Sequence, residues 1–295
     1  MADITASLVK ELRDITGAGM MECKNALKET DGIIDDAVDF LRTRGLASLA
    51  KKAGRATNEG AIASFVSDDS KVGVLLEVNC ETDFVGSNAT FTNFIADLAK
   101  IIAAENPADA DALQAVKFLD RDITVEQTFG EIVGKLGENM AIARFVREEI
   151  PGTGAVETYI HAGAKIGIMV SYAFDKQETA SNPAFKQFAR DVAMQVAAAD
   201  PIAVSRDDFD QAIVDHELSI YKAQAAESGK PENIQEKMAE GRLHKFFKEQ
   251  ALVEQAFVKD PEISIDDLTK RVSKEVDDAI KVVSFVRYNL GETQA

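Results

Sequence analysis

Lys71-Val72-Gly73-Val74-Leu75-Leu76-Glu77-Val78-Asn79-Cys80-Glu81-Thr82-Asp83-Phe84-Val85 is a strand that runs into a turn. Residues 72–78 are nearly all apolar, the pattern of a strand buried on both faces. The stretch ends with a large aromatic beside a carboxylate, a pairing no core requires. Phe84 has two readings at this point: it folds back into the core, or it stands exposed for a partner.

The chain repeats this scaffold. Lys165-Ile166-Gly167-Ile168-Met169-Val170 matches residues 71–76 at an offset of 94. At the same offset Phe91 meets Phe185, Phe94 meets Phe188, Leu98 meets Val192 and Pro107 meets Pro201. Further on the offset is 140, where Phe145-Val146-Arg147 meets Phe285-Val286-Arg287. The second copy therefore carries 46 additional residues between Pro201 and Glu262. Such periods are too long for a solenoid, and two packed, related subdomains fit them. Thr82-Asp83-Phe84-Val85 falls opposite Lys176-Gln177-Glu178-Thr179. The twin does without the aromatic, which favours an exposed Phe84.

The expected fold is α+β. Residues 1–50 read as a three-helix domain. Thr5 is the first N-cap, with Ile4 and Val9 as a hydrophobic staple. Leu8, Leu12 and Ile15 lie on one face, Gly17-Ala18-Gly19 stops the helix, and Met20 opens the next. Met20-Met21 exceeds what so small a core needs, and methionine suits adaptable contact surfaces. Core filling by one of the two is the other reading. The third helix is expected to end at Gly45. Ala/Lys/Gly-rich residues lead on to a linker at 51–60. Two core subdomains with antiparallel strands follow at 61–150 and 151–290, and a C-terminal module at 262–295 belongs to the second copy. The insertion, about 205–257, reads as an antiparallel helical hairpin. Asp207-Asp208 caps its first helix, whose face is Phe209, Ile213, His216, Ile220 and Ala223. Ile234, Met238, Leu243 and Phe246 line the return. His216 is expected to make an interhelix polar contact.

A net charge of −17 repels phosphate and argues against a general nucleic-acid binder. Lys51-Lys52-Ala53-Gly54-Arg55 is a local exception, read as solvated linker. No apolar run approaches the ~20 residues a membrane span needs. The opening Met1-Ala2-Asp3-Ile4-Thr5 lacks a secretory core, so no signal peptide is expected. Cys23 and Cys80 are then reduced thiols of a cytoplasmic protein. No phosphate-binding loop or dinucleotide fingerprint occurs. His161, His216 and His244 have no metal-ligand spacing, so no metal or cofactor is expected. Acidic pairs such as Asp35-Asp36, Asp266-Asp267 and Asp277-Asp278 read as solvated helix exteriors. A binding protein fits better than an enzyme. The rivals are a thiol enzyme built on Cys80 and His161 and an adaptor acting through the hairpin alone.

Leu8-Val9-Lys10-Glu11-Leu12-Arg13 with Thr16-Gly17-Ala18-Gly19-Met20-Met21-Glu22-Cys23-Lys24-Asn25-Ala26-Leu27 resembles the first signature of the bacterial elongation factor Ts family. Residues 77–85 resemble its second signature, and His161-Ala162-Gly163-Ala164-Lys165-Ile166-Gly167 a third, with Lys165 where the family often has arginine. The likeness covers essentially the whole chain. It implies a ubiquitin-associated-like (UBA-like) first domain, a two-part core and a coiled-coil hairpin. It also implies exchange of GDP for GTP on elongation factor Tu, with no catalytic chemistry and no nucleotide binding of the chain's own. By resemblance Thr82, Asp83, Phe84 and Val85 enter the partner's GTPase domain and disturb its magnesium. Arg13, Met20 and Met21 grip that domain, and His161, Gly163 and Lys165 belong to the contacts of the core.

Overall fold

The computed structural model describes residues 4–292; the opening Met1-Ala2-Asp3 and the last three residues of the expected C-terminal module lie outside the described residues. The N-terminal unit is α1 (Ala6–Thr16), α2 (Met20–Glu29) and α3 (Ile34–Lys52). Thr5 caps α1 by accepting from the Leu8 amide, and Gly17 closes it in a left-handed conformation. Val9, Leu12, Cys23, Ala26, Leu27 and Ala37 form a small core. Ile15 is 58% exposed rather than part of the inner face. Nor does α3 stop at Gly45. An added Cβ there would stand 3.0 Å from the backbone of Gly130, so glycine permits a close helix crossing that outweighs its poor helix propensity. The basic stretch is largely exposed, as a solvated linker would be, and is tied down at two points: Lys52 donates to the Val133 carbonyl (3.3 Å) and Arg55 pairs with Glu81 (3.3 Å).

The first copy contains β1 (Glu59–Val66), β2 (Val72–Cys80), α4 (Asp83–Gly86), α5 (Ala89–Glu105), α6 (Ala110–Ala115), α7 (Val125–Leu136) and β3 (Met140–Glu149). The second contains β4 (Gly154–Ile160), β5 (Ile166–Ala173), α8 (Pro183–Ala199), α9 (Gln211–Ala226), α10 (Glu232–Gln250), β6 (Ala256–Phe257), β7 (Asp260–Ser264), α11 (Ile265–Glu275) and β8 (Lys281–Asn289). Two three-stranded antiparallel sheets result, ordered β1-β2-β3 and β4-β5-β8. The repeat is kept down to its irregularities. The register slips between Glu77 and Val78 in one sheet, and between their counterparts Ser171 and Tyr172 in the other. Each sheet buries one face under its own helices, with Phe91, Phe94 and Leu98 in the first core and Phe185, Phe188 and Val192 in the second.

The other faces meet each other, and there the copies are related by a pseudo-two-fold axis. Ser64 and Thr158 are counterparts and hydrogen-bond to one another (3.1 Å), which places them on the axis. The Ile62 amide donates to Ala164 (2.8 Å), while its counterpart Val156 donates to Ser70 (2.8 Å). Ile62, Leu75, Val156 and Met169 fill the interface. Gly73 and Gly167 let the sheets close: a Cβ on Gly73 would collide with Val156 and stand 2.7 Å from the Met169 sulfur, and one on Gly167 would stand 2.5 Å from Ile62 Cγ2. Glu77, fully buried, pairs with Arg144 (2.7 Å) and accepts from the Gly291 amide (2.9 Å), tying the end of the second copy to the first sheet.

The helical hairpin is narrower than 205–257. Asp210, not Asp207-Asp208, caps α9; Ser205 and Asp208 cap a separate short turn at Arg206–Asp208. Leu252 and Phe257 belong to the second core. The inner stripe of α9 is Val214, Leu218, Tyr221 and the fully buried Ala225, facing Met238, Ala239, Leu243 and Phe246 of α10. Ile213 and His216 are exposed and lie off that stripe, and among the described residues His216 has no side-chain hydrogen bond to α10.

Candidate functional site

β2 delivers the chain to a turn that is held from several sides. The Cys80 thiol donates to the Thr82 carbonyl (3.1 Å). Thr82 caps the single turn of α4, its hydroxyl oxygen accepting from the Val85 amide (3.4 Å), and the Gly86 and Ser87 amides close on Thr82 and Asp83. Glu138, from the connection between α7 and β3, grips Thr82 twice. One carboxylate oxygen accepts from the Thr82 hydroxyl (2.7 Å), the other from its amide (3.0 Å). The clasp is reciprocal: Glu81 accepts from the Asn139 amide (2.5 Å). That hydrogen bond, with Arg55 beside it, holds the Glu81 carboxyl below its ordinary range.

Val85 is 7% exposed and anchors the turn in the first core. This burial fixes the opposite direction for its neighbour. Phe84 is 82% exposed, and Asp83 is exposed beside it. An aromatic ring left in water on a segment so tightly held is a marked departure from ordinary burial. In the second copy, Thr179 is buried like Val85, and Glu178 is exposed where Phe84 stands.

The third signature lies next to this turn. His161 to Lys165 link β4 and β5, closed by the Ala164 amide on the His161 carbonyl (2.9 Å), with Gly163 and Ala164 both left-handed. The Ala164 carbonyl accepts from Ile62 of β1, against which α4 also packs. Lys165 pairs with Glu59 at the start of β1 (2.8 Å). Its pKa is raised by that hydrogen bond and charge, with a smaller contribution from Asp83. The turn carrying Asp83 and the loop carrying Lys165 thus both lie against β1. His161 is exposed, with Nδ1 3.0 Å from the Tyr159 hydroxyl.

Arg13, Met20 and Met21 form a separate surface on the N-terminal unit. All three are exposed, the methionines 57% and 65%, next to exposed Ile15. Neither methionine fills the core. Between this unit and α7 lies a cleft of about 330 Å³ lined by Arg42, Lys52, Glu131 and Lys135. Arg42 already pairs with Glu131 (3.4 Å).

Burial argues against the thiol-nucleophile reading. Cys80 is fully buried, and burial with the nearby Glu138 charge pushes its pKa up to about 11, whereas a reactive thiolate needs a lowered pKa and access. Among the described residues no group of three or more His, Cys, Asp or Glu could hold a metal ion, and no helix is long and apolar enough to cross a membrane. Sequence reasoning missed Glu138. Its signal was present: Asp278 stands opposite it at the 140 offset.

Residues 81–292 match the family described as Elongation factor TS. The chain is 46% identical to elongation factor Ts of Clostridium kluyveri over 290 residues, covering 98% of this chain and 93% of that protein. It is 47% identical to that of Clostridium perfringens over 289 residues, with the same coverage. For Nitratidesulfovibrio vulgaris the identity is 44% over 292 residues, covering 99% and 97%. The chain belongs to the elongation factor Ts family of translation elongation factors.

Proposed function

We propose that this chain is a guanine nucleotide exchange factor: it binds elongation factor Tu carrying GDP, displaces the bound Mg²⁺ and speeds GDP release. The observation that carries the reading is Phe84, 82% exposed on a turn locked by Glu138 and Val85. Mg²⁺ demands near-ideal octahedral geometry and bridges nucleotide phosphates. A small displacement of its ligands therefore weakens GDP. Phe84 acts as an apolar wedge, gaining ~1.5–3 kcal/mol when buried in the partner, and Asp83 brings negative charge beside it. Because the turn is already ordered, little of that gain is lost to ordering on binding.

The N-terminal domain anchors the partner's GTPase domain through Arg13, Met20 and Met21. The His161–Lys165 turn, with Gly163 and Lys165, contributes contacts from the core, and the second subdomain reaches the partner's β-barrel region. The chain itself performs no bond chemistry, needs no cofactor and binds no nucleotide, nucleic acid or membrane; it works in the cytoplasm. Linkage makes the effect reciprocal, so GDP must weaken the complex as much as the complex weakens GDP. Stopped-flow release of fluorescent GDP from elongation factor Tu tests this reading: acceleration supports it, and an unchanged rate at saturating chain rejects it.

A further inference from the structure

The clasp on the Phe84 turn has a twin. Asp278 is the counterpart of Glu138 at the 140 offset. Though its position reads as solvated surface in the sequence, Asp278 is 8% exposed. It accepts from the Asp175 amide (3.0 Å), the Lys176 amide (3.0 Å) and the Thr179 hydroxyl (2.6 Å). Lys176 is the counterpart of Thr82, so both carboxylates hold the same backbone amide, once in each copy. The segment held by Asp278 is the short turn Gln177–Ser181, which lacks the aromatic. One scaffold is built twice, and only one copy presents a wedge.

We propose that Glu138 is the positioning residue of the exchange site: it touches neither nucleotide nor metal, and fixes the Thr82–Gly86 turn so that Phe84 meets the partner in one orientation. The inference rests on the exchange reading. α4 is a single turn of four residues, and so short a helix does not hold itself in water. The two charge-assisted hydrogen bonds that one carboxylate accepts are the strongest polar restraints on it. Thr82 is half-buried, so water can satisfy its donors when Glu138 is removed; the turn then loosens without unfolding the core. A loosened wedge has to be ordered in the complex, which slows exchange about 2- to 10-fold.

The test uses the full chain with Glu138→Ala, Glu138→Gln and Asp278→Ala. Glu138→Ala is expected to lower the maximal rate of GDP release about 2- to 10-fold, with the half-saturating concentration changed less than about 2-fold. Amide hydrogen exchange at residues 85–87 should speed up. Glu138→Gln, whose amide still offers one acceptor to the Thr82 amide and one donor to its hydroxyl, should restore most of the rate. Asp278→Ala should loosen residues 176–182 and leave the maximal rate at the parent's. Unchanged protection at 85–87 in Glu138→Ala overturns the proposal. So does a loosened turn with full exchange, or an equal rate loss in Asp278→Ala. A parent chain without effect on GDP release overturns the exchange role itself, while the amide measurement on the free chain still decides whether Glu138 orders the turn.

Discussion

Replacing Phe84 with alanine separates stability from function. The side chain is 82% exposed in the free chain, so at most about a fifth of its surface leaves water on folding. A fully buried Phe→Ala change costs ~3–5 kcal/mol; scaled by that fraction, the cost here is under ~1 kcal/mol. The restraints on the turn come from Thr82, Glu138 and Val85 and do not involve the ring. Melting should therefore shift by no more than ~2–4 °C. Exchange should respond far more. Losing ~1.5–3 kcal/mol that is expressed only in the strained complex slows GDP release roughly 10- to 150-fold. The variant should also show a smaller GDP-induced loss of affinity for elongation factor Tu, because linkage is reciprocal. The assay pairs thermal melts with stopped-flow release of fluorescent GDP at saturating factor. A strongly destabilised variant with normal exchange per folded molecule would place the ring in the core and refute the wedge.

Replacing Met20 and Met21 together with alanine should leave stability within ~1 kcal/mol, since both are more than half exposed, yet weaken binding to elongation factor Tu about 10-fold or more; unchanged affinity in titration calorimetry would show that this surface is no anchor. Excising 211–250 with a short bridging linker should preserve one cooperative melt, whereas excising 205–257 should not, because Leu252 and Phe257 are core; equal melts for the two deletions would contradict this boundary. Asp278 is buried, which alone would raise its pKa, but hydrogen bonds from Thr179, Asp175 and Lys176 hold it below the ordinary 3.8. The native state then binds fewer protons than the unfolded chain, so this stabilisation is present above about pH 4 and is lost as pH falls through the depressed folded value. Asp278→Asn should be less stable at pH 7, with the gap narrowing below pH 4; a gap constant with pH would remove the carboxylate from the account.

The repeat was legible because a two-fold-related core imposes the same residue types twice. Gly73 and Gly167, Phe94 and Phe188, and the contrast between Phe84 and Glu178 could all be read from one chain. The hairpin face was misread by one position. Ile213, His216 and Ile220 share a helical spacing with Val214, Leu218 and Tyr221, and only packing against α10 selects the second stripe. Gly45 looked like a stop because its partner backbone at Gly130 lies 85 residues away. Phe84 and Val85 belong to one signature, yet as neighbours on a short helical turn they point in different directions, Phe84 to solvent and Val85 to the core. Asp278 passed as a surface charge and Glu138 went unnoticed because a hydrogen-bonded carboxylate at a loop has no pattern of its own.

The central claim is that the exposed turn at Phe84 drives nucleotide exchange. The most direct measurement is the rate of fluorescent GDP release from purified elongation factor Tu with increasing amounts of this chain, beside its Phe84→Ala variant. The account predicts a saturable acceleration by the parent and a maximal rate roughly 10- to 150-fold lower for the variant. A parent that leaves release unchanged, or a folded variant that accelerates it equally, would contradict the account.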